Sequence, residues 1–211
     1  MNRCGCDFVH RPRRVVLTGG PGAGKTAVLE VLRRAMCKHV HVLPEAAGIV
    51  FGGGFPRGTT PALRRPAQRA IYHVQRELEA TTVDVNAAIV VCDRGTVDSL
   101  AYWPGPGELW SEVGTTSGDE LARYDAVIHL RTPPRGGGYN HDNPLRIETA
   151  AEAAAIDERI VAAWARHPHR FEVPATLAFV AKVARTLALV HRELPACCRE
   201  HTSVRFDQPT N

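Results

Sequence analysis

Apolar residues along this 211-residue chain fall into short runs separated by stretches of helical period. The runs at 14–17, 40–43, 88–92, 126–130 and 171–173 are bounded by polar or turn-forming residues and read as strands. The middle ones are apolar at consecutive positions, as a strand is when helices cover both of its faces. Elsewhere the period lengthens. A helix is expected over 27–38, directly after the first strand. Ala67, Ile71, Val74, Leu78 and Val85 recur at helical spacing and predict a helix over 66–85, with Pro66 in its first turn. A short helix is expected over 95–102. Ile147, Ala151, Ala154, Ile160 and Trp164 mark a long helix after the fourth strand, and Leu177, Val180, Ala184, Leu187 and Val190 mark the last one. The segment 104–118 is rich in Gly, Pro and Ser and reads as a surface loop or short lid-like insertion. Such alternation predicts an α/β fold around a parallel sheet.

The turn between the first strand and the first helix reads Gly19-Gly20-Pro21-Gly22-Ala23-Gly24-Lys25-Thr26, then Ala27. It matches G-x-x-x-x-G-K-[ST] in the setting that motif requires, a strand before and a helix after. Glycines let backbone N–H groups curl around a phosphate chain where a Cβ would intrude. Lys25 can reach the β- and γ-phosphates, Thr26 can ligate Mg²⁺, and the helix N-terminus behind them favours negative charge. Residues 19–27 are therefore the expected binding site for a nucleoside triphosphate.

Three further segments carry groups suited to phosphate chemistry. Four apolar residues, Ile89 to Cys92, lead into Asp93-Arg94, the pattern of a strand whose terminal acid holds Mg²⁺. A strand-end salt bridge is the plainer alternative for this pair. Asp98, four residues beyond Arg94, shares its side of any helix starting at Gly95 and would orient Arg94 or bind the acceptor. Glu45 closes the second strand, where a carboxylate can take a proton from an attacking hydroxyl; a helix N-terminal Glu answering the dipole is the alternative. After the fourth strand, Arg131, Arg135 and Arg146 lie in a Gly/Pro-rich segment, as in lids that bring arginine onto a transferring phosphate. Asp142 in that segment would pair with Arg146 or position the acceptor. Phe55 and Arg57, after Gly52-Gly53-Gly54, are candidates to stack a ring and meet an anion in the acceptor pocket. His141, His167 and His169 are expected to be solvated surface residues.

Composition narrows the picture less. The length suits one domain, with a basic tail over 1–13, a core unit over 14–194 and a polar tail over 195–211. No apolar run approaches the roughly 20 residues a membrane span needs, and the basic N-terminus lacks a signal-peptide core, so a cytoplasmic location is expected. The net charge of +4 suits anionic phosphates but is too small to argue for nucleic acid. The six cysteines are expected to be reduced, with Cys37 and Cys92 in the core. Cys4, Cys6, Cys197 and Cys198 would gather a metal only if the two ends of the chain met, and their spacing matches no zinc module.

The ordered set Thr18 to Thr26, Pro44-Glu45-Ala46-Ala47, Cys92-Asp93-Arg94-Gly95 with Asp98, Ala101-Tyr102, Tyr124-Asp125 and Asp142 to Arg146 resembles the NadR-like P-loop ATPase-kinase group, often labelled an AAA-type ATPase domain. The likeness spans roughly 14–194. It implies a nucleoside-kinase-like three-layer fold with strand order 2-3-1-4-5 and a lid after strand four. It implies ATP or GTP with Mg²⁺, with Lys25 and Thr26 on phosphate and metal, Asp93 as the strand-three acid, and Arg94 and Arg146 facing phosphate. Members of the group include ribosylnicotinamide kinases and GTP- and phosphatidic-acid-binding trafficking proteins. The arginine fingers and helical lid domain of ring-forming AAA motors are not recognisable, so a remodelling motor is not expected. Two readings of function follow: a kinase for a small-molecule hydroxyl of nucleoside or riboside type, and a nucleotide-hydrolysing switch with no small-molecule acceptor. Lack of an N-K-x-D run favours ATP over GTP. A homodimer is the assembly that small P-loop kinases suggest.

Overall fold

A computed structural model describes residues 5–105, 108–133 and 149–200 of the chain. Five parallel strands, β1 (Arg13–Thr18), β2 (Val40–Leu43), β3 (Ile89–Asp93), β4 (Ala126–Leu130) and β5 (Arg170–Val173), form one sheet in the order β2-β3-β1-β4-β5. This is the expected α/β three-layer order. Every residue from Ile89 to Cys92 is buried, because alternate side chains enter two separate cores. Val15, Leu17, Ile89, Val91 and Ile128 face one core, with α1 (Lys25–Ala35) and α8 (Phe179–Glu193). Val16, Val90, Cys92 and Val127 face the other, with α3 (Pro61–Ala80) and α7 (Ala150–Trp164). Trp164 is fully buried there. The helix α7 opens on a capping box in which Thr149 Oγ1 accepts from the Glu152 N–H and Glu152 accepts from the Thr149 N–H.

Several elements differ from what the sequence pattern predicts. The helix expected over 66–85 begins at Pro61 and ends at Ala80, followed by a 3₁₀ turn, Thr81–Asp84. Pro61 takes the first helical position, where a missing N–H costs nothing, and the helix tolerates Pro66 in its second turn. Its most buried positions also differ: Gln68, Tyr72, Gln75 and Glu79 lie deeper than Ile71, Val74 and Leu78. Tyr72, Gln75 and Glu79 are satisfied within the protein. The Tyr72 hydroxyl donates to Glu120 Oε1 (2.9 Å), Gln75 Nε2 donates to Glu79 Oε1 (2.9 Å), and Arg123 pairs with Glu79. The Tyr124 hydroxyl donates to Glu79 Oε1 (2.8 Å) and accepts from the Thr96 N–H (2.8 Å). Hydrophobic periodicity cannot see a buried face built from such partners.

A short helix, α2 (Ala46–Gly52), follows β2. The expected helix over 95–102 appears as a 3₁₀ turn, Thr96–Asp98, running into α4 (Ser99–Tyr102). The loop expected over 104–118 contains α5 (Leu109–Val113), which buries Leu109 and Trp110, and the start of α6 (Ser117–Ala122). Gly and Pro in that stretch obscured two anchors strong enough to fix it. The polar segment after Leu194 contains α9 (Ala196–Arg199), whose Cys198 is fully buried, and Cys6 is buried near the other end of the chain. His167 is also buried rather than solvated: its Nε2 lies 2.9 Å from the Tyr124 carbonyl and its ring packs edge-on against Trp164. No helix of the described residues is long and apolar enough to cross a membrane.

Candidate functional site

The loop between β1 and α1 is compact because its glycines meet backbone and side chains directly. A Cβ on Gly19 would run into the Leu130 carbonyl, and one on Gly20 would run into Thr132 and Asp157. The Gly20 N–H donates to Asp157 Oδ1 (2.8 Å), so α7 fixes the start of the loop. Asp157 also holds His129 Nε2 (2.9 Å) and Arg131 Nε (3.1 Å). Burial opposes its charge, but His129, the Gly20 N–H and Arg131 overcome that and keep the carboxyl below its usual range. Gly24 adopts the left-handed conformation at the N-cap of α1, and no side chain caps the helix N-terminus by a hydrogen bond.

Lys25 folds back over this loop. Its Nζ donates to the Gly19 carbonyl (2.8 Å) and the Gly20 carbonyl (3.2 Å). Burial and the neighbouring Arg94 lower its pKa to about 8, despite the opposing pull of Asp93, Glu45 and Asp98. An anionic phosphate chain beside it would favour the charged form.

Strand register assembles the acidic side of the site. Leu17 pairs with Asp93, which sets the strand-three acid level with the start of the loop. Leu43 pairs with Cys92, so Glu45 and Arg94, each two residues further on, emerge together. Asp93 Oδ1 is buried and has no hydrogen-bond partner among the described residues. Burial raises the Asp93 pKa to about 6, with Lys25 and Arg94 opposing and Glu45 and Asp98 adding to the rise. Together with the Thr26 hydroxyl, which lines the same cleft, the unpaired oxygen is a hard-oxygen donor set of the kind Mg²⁺ takes. These residues therefore fit the ion.

Arg94 is the only described non-glycine residue with positive φ, at 70°. Such a conformation costs an ordinary residue on the order of 1 kcal/mol and needs support from its surroundings. The support is visible. The Arg94 N–H donates to the Leu17 carbonyl (3.1 Å), Nε donates to Glu45 Oε1 (2.7 Å), and the guanidinium lies over the Tyr102 ring, 5.6 Å from its centroid. Burial opposes ionisation of Glu45, but Arg94 and Lys25 overcome it and hold the carboxyl below its usual range. The Glu45 side chain keeps 38% of its surface exposed, so it is both charged and reachable.

Asp98 is buried and fully engaged. Oδ1 accepts from Thr18 Oγ1 and from an Arg94 Nη (3.4 Å), and Oδ2 accepts from the Gly95 N–H (2.9 Å) and Trp164 Nε1 (3.2 Å). Asp98 thus touches Arg94 while also lining the neighbouring cavity.

Beside the loop lies a cavity of about 240 Å³. Its lining includes the charged groups Lys25, Glu45, Asp93 and Arg94 together with Thr26 and Asp98, and also Phe51, Arg57, Gln68, Ile71, Gln75 and Tyr102. Arg57 is in the wall, as expected, with its guanidinium over the Phe51 ring (5.0 Å). Phe55 is not in the wall; the aromatics there are Tyr102 and Phe51, the latter carried by α2 and made inconspicuous in the sequence by the glycines at 52–54. Gln68 and Gln75 were missed because they sit on a helix face read only for its apolar residues. Arg131 does not line the cavity and pairs with Asp157 and Glu158. Arg135, Asp142 and Arg146 lie outside the described residues.

The comparisons with known proteins agree with this architecture. No curated protein matches the chain. Among solved structures, a NadR protein in complex with NR superposes with a TM-score of 0.66 at 15% identity, over 95% of this chain and 54% of that one. The chain thus spans about half the length of that relative. A deoxyadenosine kinase from M. mycoides with bound dATP superposes with a TM-score of 0.60 at 12% identity, over 84% of this chain and 98% of the kinase. At such identities the likeness establishes the fold, a P-loop fold of the nucleoside-kinase type. A family model described as an AAA domain matches residues 14–176, and the chain belongs to that AAA-domain family.

Proposed function

We propose that the protein is a Mg²⁺-dependent kinase that transfers the γ-phosphate of ATP to a hydroxyl of a small molecule of nucleoside or riboside type. The observation that carries this reading is the cavity beside the phosphate loop, with Glu45 and Arg94 in its lining. Pockets for drug-sized ligands start near roughly 300 Å³, so this one suits a small acceptor. A switch that only hydrolyses nucleotide would use the lining at Lys25, Thr26 and Asp93 but not that at Phe51, Gln68 and Gln75. The solved relatives point the same way, one being a deoxyadenosine kinase and the other a NadR protein with NR bound.

In this reading residues 19–27 bind the triphosphate through backbone N–H groups, and Lys25 leaves the Gly19 and Gly20 carbonyls for the phosphates. Thr26 and Asp93 hold Mg²⁺, which when bound neutralises charge on the phosphate oxygens. Glu45 accepts the proton of the acceptor hydroxyl as its oxygen bonds to the γ-phosphorus and the bond to the bridging oxygen of ADP breaks. Arg94, kept in place by Asp98, answers the charge on the transferring phosphoryl group. Phe51 offers a face to a planar ring, Gln68 one donor and one acceptor to its edge, and Arg57 a cation at the mouth. Arg135 and Arg146 would meet the transferring phosphate, with Asp142 against the acceptor; Arg131 would join them only by leaving Asp157 and Glu158. The test is a transfer screen with ATP and GTP against nucleosides, ribosides, sugars and aminoglycosides, read by product mass. A phosphorylated nucleoside or riboside is expected. Release of inorganic phosphate with no acceptor modified would replace the kinase with the hydrolysing switch.

A further inference from the structure

At the edge of the sheet opposite the phosphate loop, four side chains from distant parts of the chain meet. They are Cys6 and His10 from the N-terminal segment, His39 from the turn before β2, and Cys198 from α9. One ligand atom of each lies within 4.8 Å of every other. His10 Nε2 is 3.4 Å from Cys6 Sγ and 3.5 Å from Cys198 Sγ, and His39 Nδ1 is 3.5 Å from Cys198 Sγ. With Zn–S near 2.3 Å and Zn–N near 2.0–2.1 Å, a tetrahedral ion sets sulfur and nitrogen about 3.5 Å apart. All three spacings fall at that value. Cys6, His39 and Cys198 are buried, and no disulfide joins the cysteines among the described residues.

The backbone around the cluster is also fixed. The His10 N–H donates to Asn86 Oδ1 (2.9 Å), and Asn86 Nδ2 donates to the Phe8 carbonyl (3.1 Å). The His39 carbonyl accepts from the N–H groups of Ala88 (2.8 Å) and Ile89 (3.1 Å) at the entry to β3. Both histidines are thus tied to the turn that precedes β3, and Cys6 and Cys198 close on them from the two ends of the chain.

We propose that Cys6, His10, His39 and Cys198 form a structural zinc site that clasps both ends of the chain to the amino-terminal edge of the sheet. Two thiolates and two neutral imidazoles satisfy a closed tetrahedral ion with no position left for substrate, which distinguishes it from a catalytic centre. The thiols release their protons on binding, so the site stabilises the fold at neutral pH and lets go in acid.

The full chain, isolated without chelator and dialysed against metal-free buffer, is assayed for zinc by elemental analysis and for cysteine oxidation by intact mass. About one zinc per chain is expected. Co²⁺ added to the metal-free chain should give tetrahedral d–d bands and a thiolate charge-transfer band, a readout that needs no variant. Removing zinc should lower Tm by about 5 °C or more. Cys198→Ser should lose the metal, and Cys197→Ser should keep it. Zinc below about 0.2 per chain, together with Co²⁺ that stays octahedral, overturns the site. So does a Cys6–Cys198 disulfide in the freshly isolated chain. Equal metal loss in Cys197→Ser and Cys198→Ser overturns this ligand set.

Discussion

At the carboxyl ends of β1 and β3, Lys25, Glu45, Asp93 and Arg94 share a cleft that solvent can enter, and a buried Asp93 oxygen is left unpaired. At the opposite edge of the same sheet, Cys6, His10, His39 and Cys198 close on one another, three of them out of solvent. The first arrangement sets charged groups, among them the Arg94–Glu45 pair, around an open cleft on a rigid frame, as suits ligands that come and go. The second brings thiol and imidazole donors together largely out of solvent, with only His10 half-exposed, as suits a permanent ligand. One sheet serves both because its register fixes the loops at each end without linking the two chemistries.

Variants can break or sharpen that contrast. The largest effect is expected from Lys25→Ala, which should erase the rise in Tm given by Mg-ATP and cut any transfer by at least about 100-fold. Unchanged nucleotide stabilisation, measured by thermal shift, would remove the triphosphate from this end. Glu45→Gln should keep the thermal shift and lower kcat by about 10²–10⁴, the usual range for losing a general base. Full turnover in that variant would strip Glu45 of the proposed role.

Asp157→Asn tests the frame itself. Four groups lean on this buried carboxylate, the Gly20 N–H, His129, Arg131 and Thr132. The change should cost about 2–3 kcal/mol of unfolding free energy in urea, somewhat less than breaking a buried ion pair outright. Asp157 also gives a pH signature. Its folded pKa is depressed, so its contribution is present above the unfolded value near 3.9 and fades as pH falls further toward the folded one. Wild type should therefore lose stability below about pH 4 more steeply than Asp157→Asn, as read from urea midpoints across pH. The smallest effect expected on the cleft comes from the far edge of the sheet. Cys198→Ser should lower Tm yet leave the apparent Kd for Mg-ATP within about twofold, since sites this distant with no shared partners usually act independently. A larger change in nucleotide affinity would show that the two ends are coupled.

Much of the nucleotide end was legible in the chain because its parts are local. Gly19 to Ala27 is one contiguous loop and Asp93 ends an apolar strand, whereas Glu45 lies two residues past β2 at the N-cap of α2, the helix-start position its sequence left open. Phe51, Gln68 and Gln75 were not legible. They reach the cavity from α2 and α3, and on α3 the buried face is polar. The same blindness hid Leu109 and Trp110 behind a run of Gly and Pro. The paired cysteines at the two ends were visible, but His10 and His39 did not stand out as their companions.

Period and punctuation in the sequence determined the α/β class, the strands and the phosphate loop, because these depend on neighbours within one or two turns of chain. Tertiary structure decided which acid meets which base, which helix face lines the cavity, and that Cys6 and Cys198 lie together. Those contacts join residues tens to nearly two hundred positions apart, and only the strand register and the packing of helices on the sheet set such distances.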